Sequence, residues 1–104
     1  MKKVISISEI VAPIQVESDL SEVWATADAS YHEGKLQVQL DSFLRRARDN
    51  ERLSADWLPS GEKVIERVSL EEGSAAAKEI FENWAERVRR AVSKRAAIEA
   101  SLPS

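Results

Sequence analysis

The chain has no cysteine, a single histidine, and only three glycines, which stand far apart at Gly34, Gly61 and Gly73. Without cysteine there is no disulfide, no thiolate metal ligand and no cysteine nucleophile. Without closely spaced glycines the backbone cannot form a Walker-type phosphate loop or a dinucleotide fingerprint, because both need main-chain amides brought up to phosphate oxygens. No apolar run approaches the roughly 18–20 residues that a membrane-spanning helix requires. The opening MKKVISISEIVAPI has two lysines before an apolar stretch, but Glu9 interrupts it and no small-residue cleavage site follows. These features lead to the expectation of a cytoplasmic protein with no cofactor and no membrane partner.

Aromatic residues are also few: Trp24, Trp57, Trp84, Tyr31, Phe43 and Phe81, most of them expected in a core. His32 sits in YHEG beside Glu33 with no serine–aspartate or metal-ligand spacing around it, and reads as a solvated turn residue. The adjacent Glu71 and Glu72 stand where a helix would begin, so they complement the positive end of its dipole more simply than they make an acid–base pair. No residue constellation points to catalysis, and the chain is read as non-enzymatic.

What is present is the composition of one small globular unit. The 104 residues are 43% hydrophobic and 32% charged, which suits a single domain. The net charge of −3 is unevenly spread: Val4 to Gly34 holds six acidic residues and no lysine or arginine. From Lys35 onward, 13 basic residues meet 12 acidic ones. An acidic first third and a balanced remainder offer little attraction to nucleic acid.

Periodicity suggests the elements. Lys2–Ser8 is short and β-branched, a strand bounded by Pro13, and residues 13–18 form a possible second short strand. In residues 35–41, Leu36, Val38 and Leu40 alternate with Gln37, Gln39 and Asp41, the period of a half-buried strand. Residues 63–70 read as another strand, and LPSG at 58–61 as a turn. Residues 19–31 fit two templates. Leu20, Val23, Trp24, Ala27 and Tyr31 make a helical stripe with Asp19 and Glu22 as a capping box, which is slightly favoured over a hairpin turning at HEG. Residues 42–53 carry a thin stripe of Phe43, Leu44 and Ala47 and are expected as a short helix.

Trp24, Ala27, Tyr31 and Ala47 sit roughly where the tetratricopeptide repeat places its signature residues, although Asp28 stands where that pattern has glycine and there is no second copy. The resemblance implies a helical hairpin. The expected fold is therefore α+β, a small antiparallel sheet of three to four strands packed by a long C-terminal amphipathic helix, with a mostly helical hairpin arrangement as the alternative. Residues 1–95 would form the compact domain and residues 96–104 a flexible tail.

The C-terminal helix is the best-defined element, expected at about residues 72–94 and opened by a Ser69–Glu72 capping box. Phe81, Trp84, Val88, Ala91 and Val92 follow the spacing of a helix seam. They are the candidate interface residues of a homodimer, unless the chain's own sheet covers them. Glu86 precedes Arg89 and Arg90 by three and four residues, the favourable order for helix ion pairs. Arg45, Arg46, Arg48, Arg87, Arg90 and Lys94 are the candidate polyanion contacts of an alternative reading as a nucleic-acid accessory protein. The leading expectation is a small protein–protein interaction or regulatory module, a homodimer with an unknown protein partner.

Overall fold

A computed structural model describes residues 2–16 and 18–101, and the fold is α+β: a curled antiparallel sheet with one long helix across it. Three long strands make a meander, β1 (Lys2–Val16), β2 (Asp19–His32) and β3 (Lys35–Arg46). Two short strands share the far edge of β3. β4 (Arg52–Leu53) pairs with its Leu44–Arg45 end, and β5 (Gly61–Ile65) with its Leu36–Leu40 end. Helix α1 (Leu70–Ser101) follows.

The turn between β2 and β3 fixes the register. Glu33 and Gly34 both have positive φ, 46° and 78°, the requirement of the two-residue hairpin turn whose twist matches the flanking strands. His32 therefore faces Lys35, and the ladder continues back to Ser21 opposite Arg46. β1 lies against the other side of β2 with one irregularity, a bulge between Ile10 and Ala12. The expected short strands at 2–8 and from Pro13 are one strand bent at this bulge, and residue 17 lies outside the described residues.

Two expected helices are strands. Residues 19–31 form β2, not the favoured helix, and the helical-hairpin alternative and the tetratricopeptide resemblance fall with it. The physical reason is a second period hidden under the first. Val23, Ala25, Ala27 and Ala29 alternate inward and are at most 2% exposed, while Glu22, Trp24, Thr26 and Asp28 face the other way. Alanine is the best helix former, so this alternation is faint in sequence. Burial between two strands overrides propensity. Residues 42–46 extend β3, and the charged run after it is a turn with Asn50 at positive φ.

The small inward residues of β2 are matched by large ones above them. Leu36, Val38, Leu40 and Leu44 from β3 join Ala77, Phe81, Trp84, Ala85 and Val88 from α1 in one buried cluster with the β2 alanines. A central strand surfaced with alanine lets the helix lie close and gives its aromatics room, the large-against-small packing that fills an interior without voids. Two side chains are tied across elements by hydrogen bonds: the indole N–H of buried Trp84 donates to the Asp41 carbonyl at 2.9 Å, and the hydroxyl of half-buried Tyr31 donates to the Val68 carbonyl at 2.8 Å.

The helix opens as the sequence indicates. Glu72 N–H donates to Ser69 Oγ and Ser69 N–H donates to the Glu72 carboxylate, each at 3.1 Å. This reciprocal capping box satisfies two of the free amides of the first turn. Replacing Ser69 with alanine is expected to cost about 1 kcal/mol of stability, checked by the shift in the urea midpoint at constant slope. The helix is longer than expected. It runs through Ser101, and from Ala96 onward every described residue is exposed. The segment expected as a tail is thus helical as far as Ser101, projecting past the sheet, and residues 102–104 lie outside the described residues.

Candidate interaction surfaces

The candidate interface residues of α1 divide sharply. Phe81, Trp84 and Val88 are 7%, 2% and 0% exposed and are turned onto the chain's own sheet. A second subunit cannot reach them without unpacking the core. Ala91 and Val92 are half-buried near the end of the covered stretch. The heptad-like spacing is real, but it is the spacing of any helix face that lies along a surface, and here that surface is the sheet of β1, β2 and β3.

The candidate polyanion contacts are scattered. Arg46 lies with Asp49 and Glu51 in the β3–β4 turn. Arg48 is 3.4 Å from Asp19, and Arg90 is 3.7 Å from Glu86. Arg87 and Lys94 line a groove of about 410 Å³ beside Trp57 and Ile98 at the far end of the helix. Arg45 is on the opposite face of the sheet. Arg87 and Lys94 share one groove, but the other four are dispersed and three of those lie beside carboxylates, so the six do not make a continuous track for a phosphate backbone. Glu86 does hold both expected partners, with Arg89 at 3.5 Å and Arg90 at 3.7 Å, and Arg89 also reaches Glu9 of β1 at 3.1 Å. Exposed pairs of this kind contribute little to stability.

The Arg46–Asp49–Glu51 cluster gives a pH dependence with a definite sign. The Asp49 carboxyl is lowered from 3.8 to about 2, first by the hydrogen bond from the Arg46 guanidinium and then by the Glu51 backbone N–H. A carboxyl with a depressed folded-state value stabilises above its unfolded value and loses that contribution as the pH falls through the folded one. The turn is therefore expected to hold its full contribution above about pH 4 and lose it towards pH 2. Asp49→Asn should flatten that part of the acid-unfolding curve relative to the native chain, read by circular dichroism.

The sheet face away from α1 carries a cluster that sequence reasoning missed as a unit. Trp24 and Phe43 face each other in the β2–β3 register, and their rings are parallel within 2° at 6.2 Å between centroids. Guanidinium groups cover the rings, Arg45 at 5.0 Å from the Trp24 centroid and Arg52 at 3.8 Å from that of Phe43. Such cation–π contacts hold the arginines flat against the sheet. Around them, Ile10 and Leu20 are 47% and 56% exposed, and Asp28 and Asp41 help line a shallow depression of about 310 Å³. The Trp24 indole N–H and the Arg45 Nε are shut off from solvent without a hydrogen-bond partner. Leaving such donors unpaired costs about 1–3 kcal/mol each. Because the ring faces are taken by arginine and the rim is acidic, this cluster is poorly suited to stacking nucleic-acid bases, which need a bare aromatic face.

The third surface is the outer edge of β1. β1 is the last strand of the sheet, and no described residue pairs with its far side. Val4 is 63% exposed and Ile10 47%, both on the face shared with Trp24. On the helix side, Ile5 and Ile7 are only half-buried against the core.

His32 is exposed at the β2–β3 turn with its Nε2 3.7 Å from Glu33. Among the described residues no three His, Cys, Asp or Glu side chains come together as a metal site, and no helix is long and apolar enough to cross a membrane. No protein-family model matches the chain, and neither a curated protein nor a solved structure does. The surfaces themselves are what bear on function.

Proposed function

We propose that the chain is a small non-enzymatic protein–protein interaction or regulatory module that works as a homodimer, in a cytoplasmic setting. The observation that carries this reading is the long open edge of β1. An edge strand presents a row of unpaired amides and carbonyls that another strand can take up, and proteins that must stay monomeric blunt such edges. Here the stretch from Val4 to Ile10 is left open, with two exposed apolar side chains beside it.

The outer sheet face supports a second partner beyond self-association. Tryptophan and arginine are the residues that dominate binding energy at protein interfaces. Trp24, Arg45 and Arg52 are gathered on a face that no layer of the described residues covers, with Ile10 and Leu20 as apolar neighbours. The test is sedimentation equilibrium of the intact chain from nanomolar to high-micromolar concentration. A mass rising from monomer to dimer and stopping there supports the reading. A monomer at every concentration rules the homodimer out.

A further inference from the structure

β1 carries its own defences against pairing, but only at its two ends. Lys2 and Lys3 stand at the start. The bulge between Ile10 and Ala12 twists the strand away, and Pro13 removes a donor beyond it. Between these lies VISISEI, Val4 to Ile10, regular in its pairing with β2 and free of proline and glycine. Its one charge, Glu9, is already engaged by Arg89 at 3.1 Å.

We propose that two copies of this chain pair antiparallel along Val4–Ile10, with the two-fold axis at Ile7, so that Val4 of each copy lies against the partner's Ile10. This rests on the homodimer reading and goes beyond it by fixing the partner, the segment and the register. An antiparallel pair of identical edge strands needs a two-fold axis normal to the sheet, which keeps both helices on one side and sets outer-face residues against outer-face residues. Val4, Ser6, Ser8 and Ile10 are the outer-face residues of the segment, and Val4 and Ile10 are its exposed apolar ones. Centred on Ile7, the register pairs Val4 with the partner's Ile10 at both ends, Ser6 with the partner's Ser8, and Ile7 with itself; on the helix side it sets Ile5 against the partner's Glu9, whose carboxylate Arg89 already holds.

On the outer face, which carries the exposed apolar side chains, neighbouring registers do worse. Centred on Ser6, Ile5 meets the partner's Ile7 and Lys3 meets Glu9 on the helix side, but Val4 meets serine and Ile10 meets a lysine. Centred on Ser8, Ile10 meets serine and Val4 runs into the bulge. Of these registers, this one alone brings together the two exposed apolar side chains of the segment, and directly opposite residues are the unit of sheet stabilisation. The assembly also closes at two. The opposite edge of β3 is occupied by a two-residue and a five-residue strand, too short to continue a ribbon. The result is a ten-stranded sheet of two three-stranded meanders and their short edge strands, with both Trp24–Arg45 clusters on one face.

The absence of native cysteine makes the register directly readable. Single substitutions Ser6→Cys, Ile7→Cys and Ser8→Cys are oxidised gently and the cross-linked fraction is followed over time on non-reducing gels. Directly opposite residues lie within disulfide reach, whereas residues two positions out of step do not. Ile7→Cys should therefore link fastest. Since Ile7 also contacts the core, an equimolar mixture of Val4→Cys and Ile10→Cys chains gives a second reading, with the mixed dimer expected to outpace either chain alone. Ile10→Lys should keep the native circular dichroism spectrum and weaken dimerisation at least tenfold. Fastest linking at Ser6 or Ser8 in a protein that still sediments as a dimer overturns the register and leaves the homodimer standing. Cross-linking no faster than a cysteine placed in the β2–β3 turn, with a monomer mass throughout, overturns both.

Discussion

Trp84→Ala is expected to remove about 3–5 kcal/mol of stability, the usual cost of truncating a buried aromatic. A domain of this size has a net stability on the order of 5–15 kcal/mol, so the variant should be partly unfolded well below the native transition. Three losses combine. The indole is 2% exposed at the centre of the helix–sheet contact, so its removal leaves a cavity. The Asp41 carbonyl loses the donor at 2.9 Å. Arg87, whose guanidinium lies 5.4 Å from the ring centroid, loses its apolar support. Trp84→Phe separates these terms, because it keeps most of the ring and deletes the hydrogen bond, for about 1–2 kcal/mol. Trp24→Ala is the comparison on the outer face, where the ring is half-exposed and the loss should be much smaller. Denaturant midpoints at constant slope give all three values. A Trp84→Ala chain that stayed folded with native stability would mean that the helix does not sit on the sheet as described.

Val88→Glu should unfold the chain at neutral pH, with a cost of about 4 kcal/mol or more. Val88 has no exposed surface, and a carboxylate placed there finds water only by prising the helix from the sheet. Had this helix face been a dimer seam, the same variant would dissociate a dimer and leave a folded monomer. The two accounts therefore differ in circular dichroism, not only in mass. The pH dependence runs in a fixed direction. Burial disfavours the ionised form and raises the introduced carboxyl above its unfolded value, so the penalty is largest above that raised value and shrinks as the pH falls towards the unfolded one. Between pH 7 and pH 5 the variant should regain stability relative to the native chain.

The elements readable from sequence were those whose local signals agree. VISIS at the start, the Leu36–Val38–Leu40 alternation and the Ser69–Glu72 box each carry one period or one spacing that a single structure satisfies. The misleading segment was β2. Its inward residues are alanines, small because a helix lies over them, and alanine reads locally as helix. Its large residue, Trp24, points to the other face, where it broke the strand pattern and completed a helical one. The run after Asp41 misled for the opposite reason. Phe43 and Leu44 are both buried but on different faces of the sheet, one against Trp24 and one in the core, so two adjacent apolar residues hid the alternation.

The outer-face cluster could be found only through register. Accepting the turn at Glu33–Gly34 fixes His32 opposite Lys35, and counting back from there sets Trp24 opposite Phe43 and Glu22 opposite Arg45. No window short enough to show local periodicity spans those pairs. The seam residues of α1 illustrate the converse limit. Their spacing correctly described an apolar face, but spacing does not say whether a sheet of the same chain or a second helix will cover it. Here the chain covers its helix and leaves its sheet open, so the proposed association is assigned to the edge and the outer face and not to the helix.

That relocation is open to one direct measurement, hydrogen exchange of the backbone amides at low and high protein concentration. The outward amides of Val4–Ile10 are unpaired in the single chain and would take up partner carbonyls in the proposed dimer. They should exchange freely in dilute protein and become protected as concentration rises, while the amides around Phe81–Val88 stay protected at both. Protection in Val4–Ile10 that is independent of concentration, or a rise confined to α1, would contradict the account.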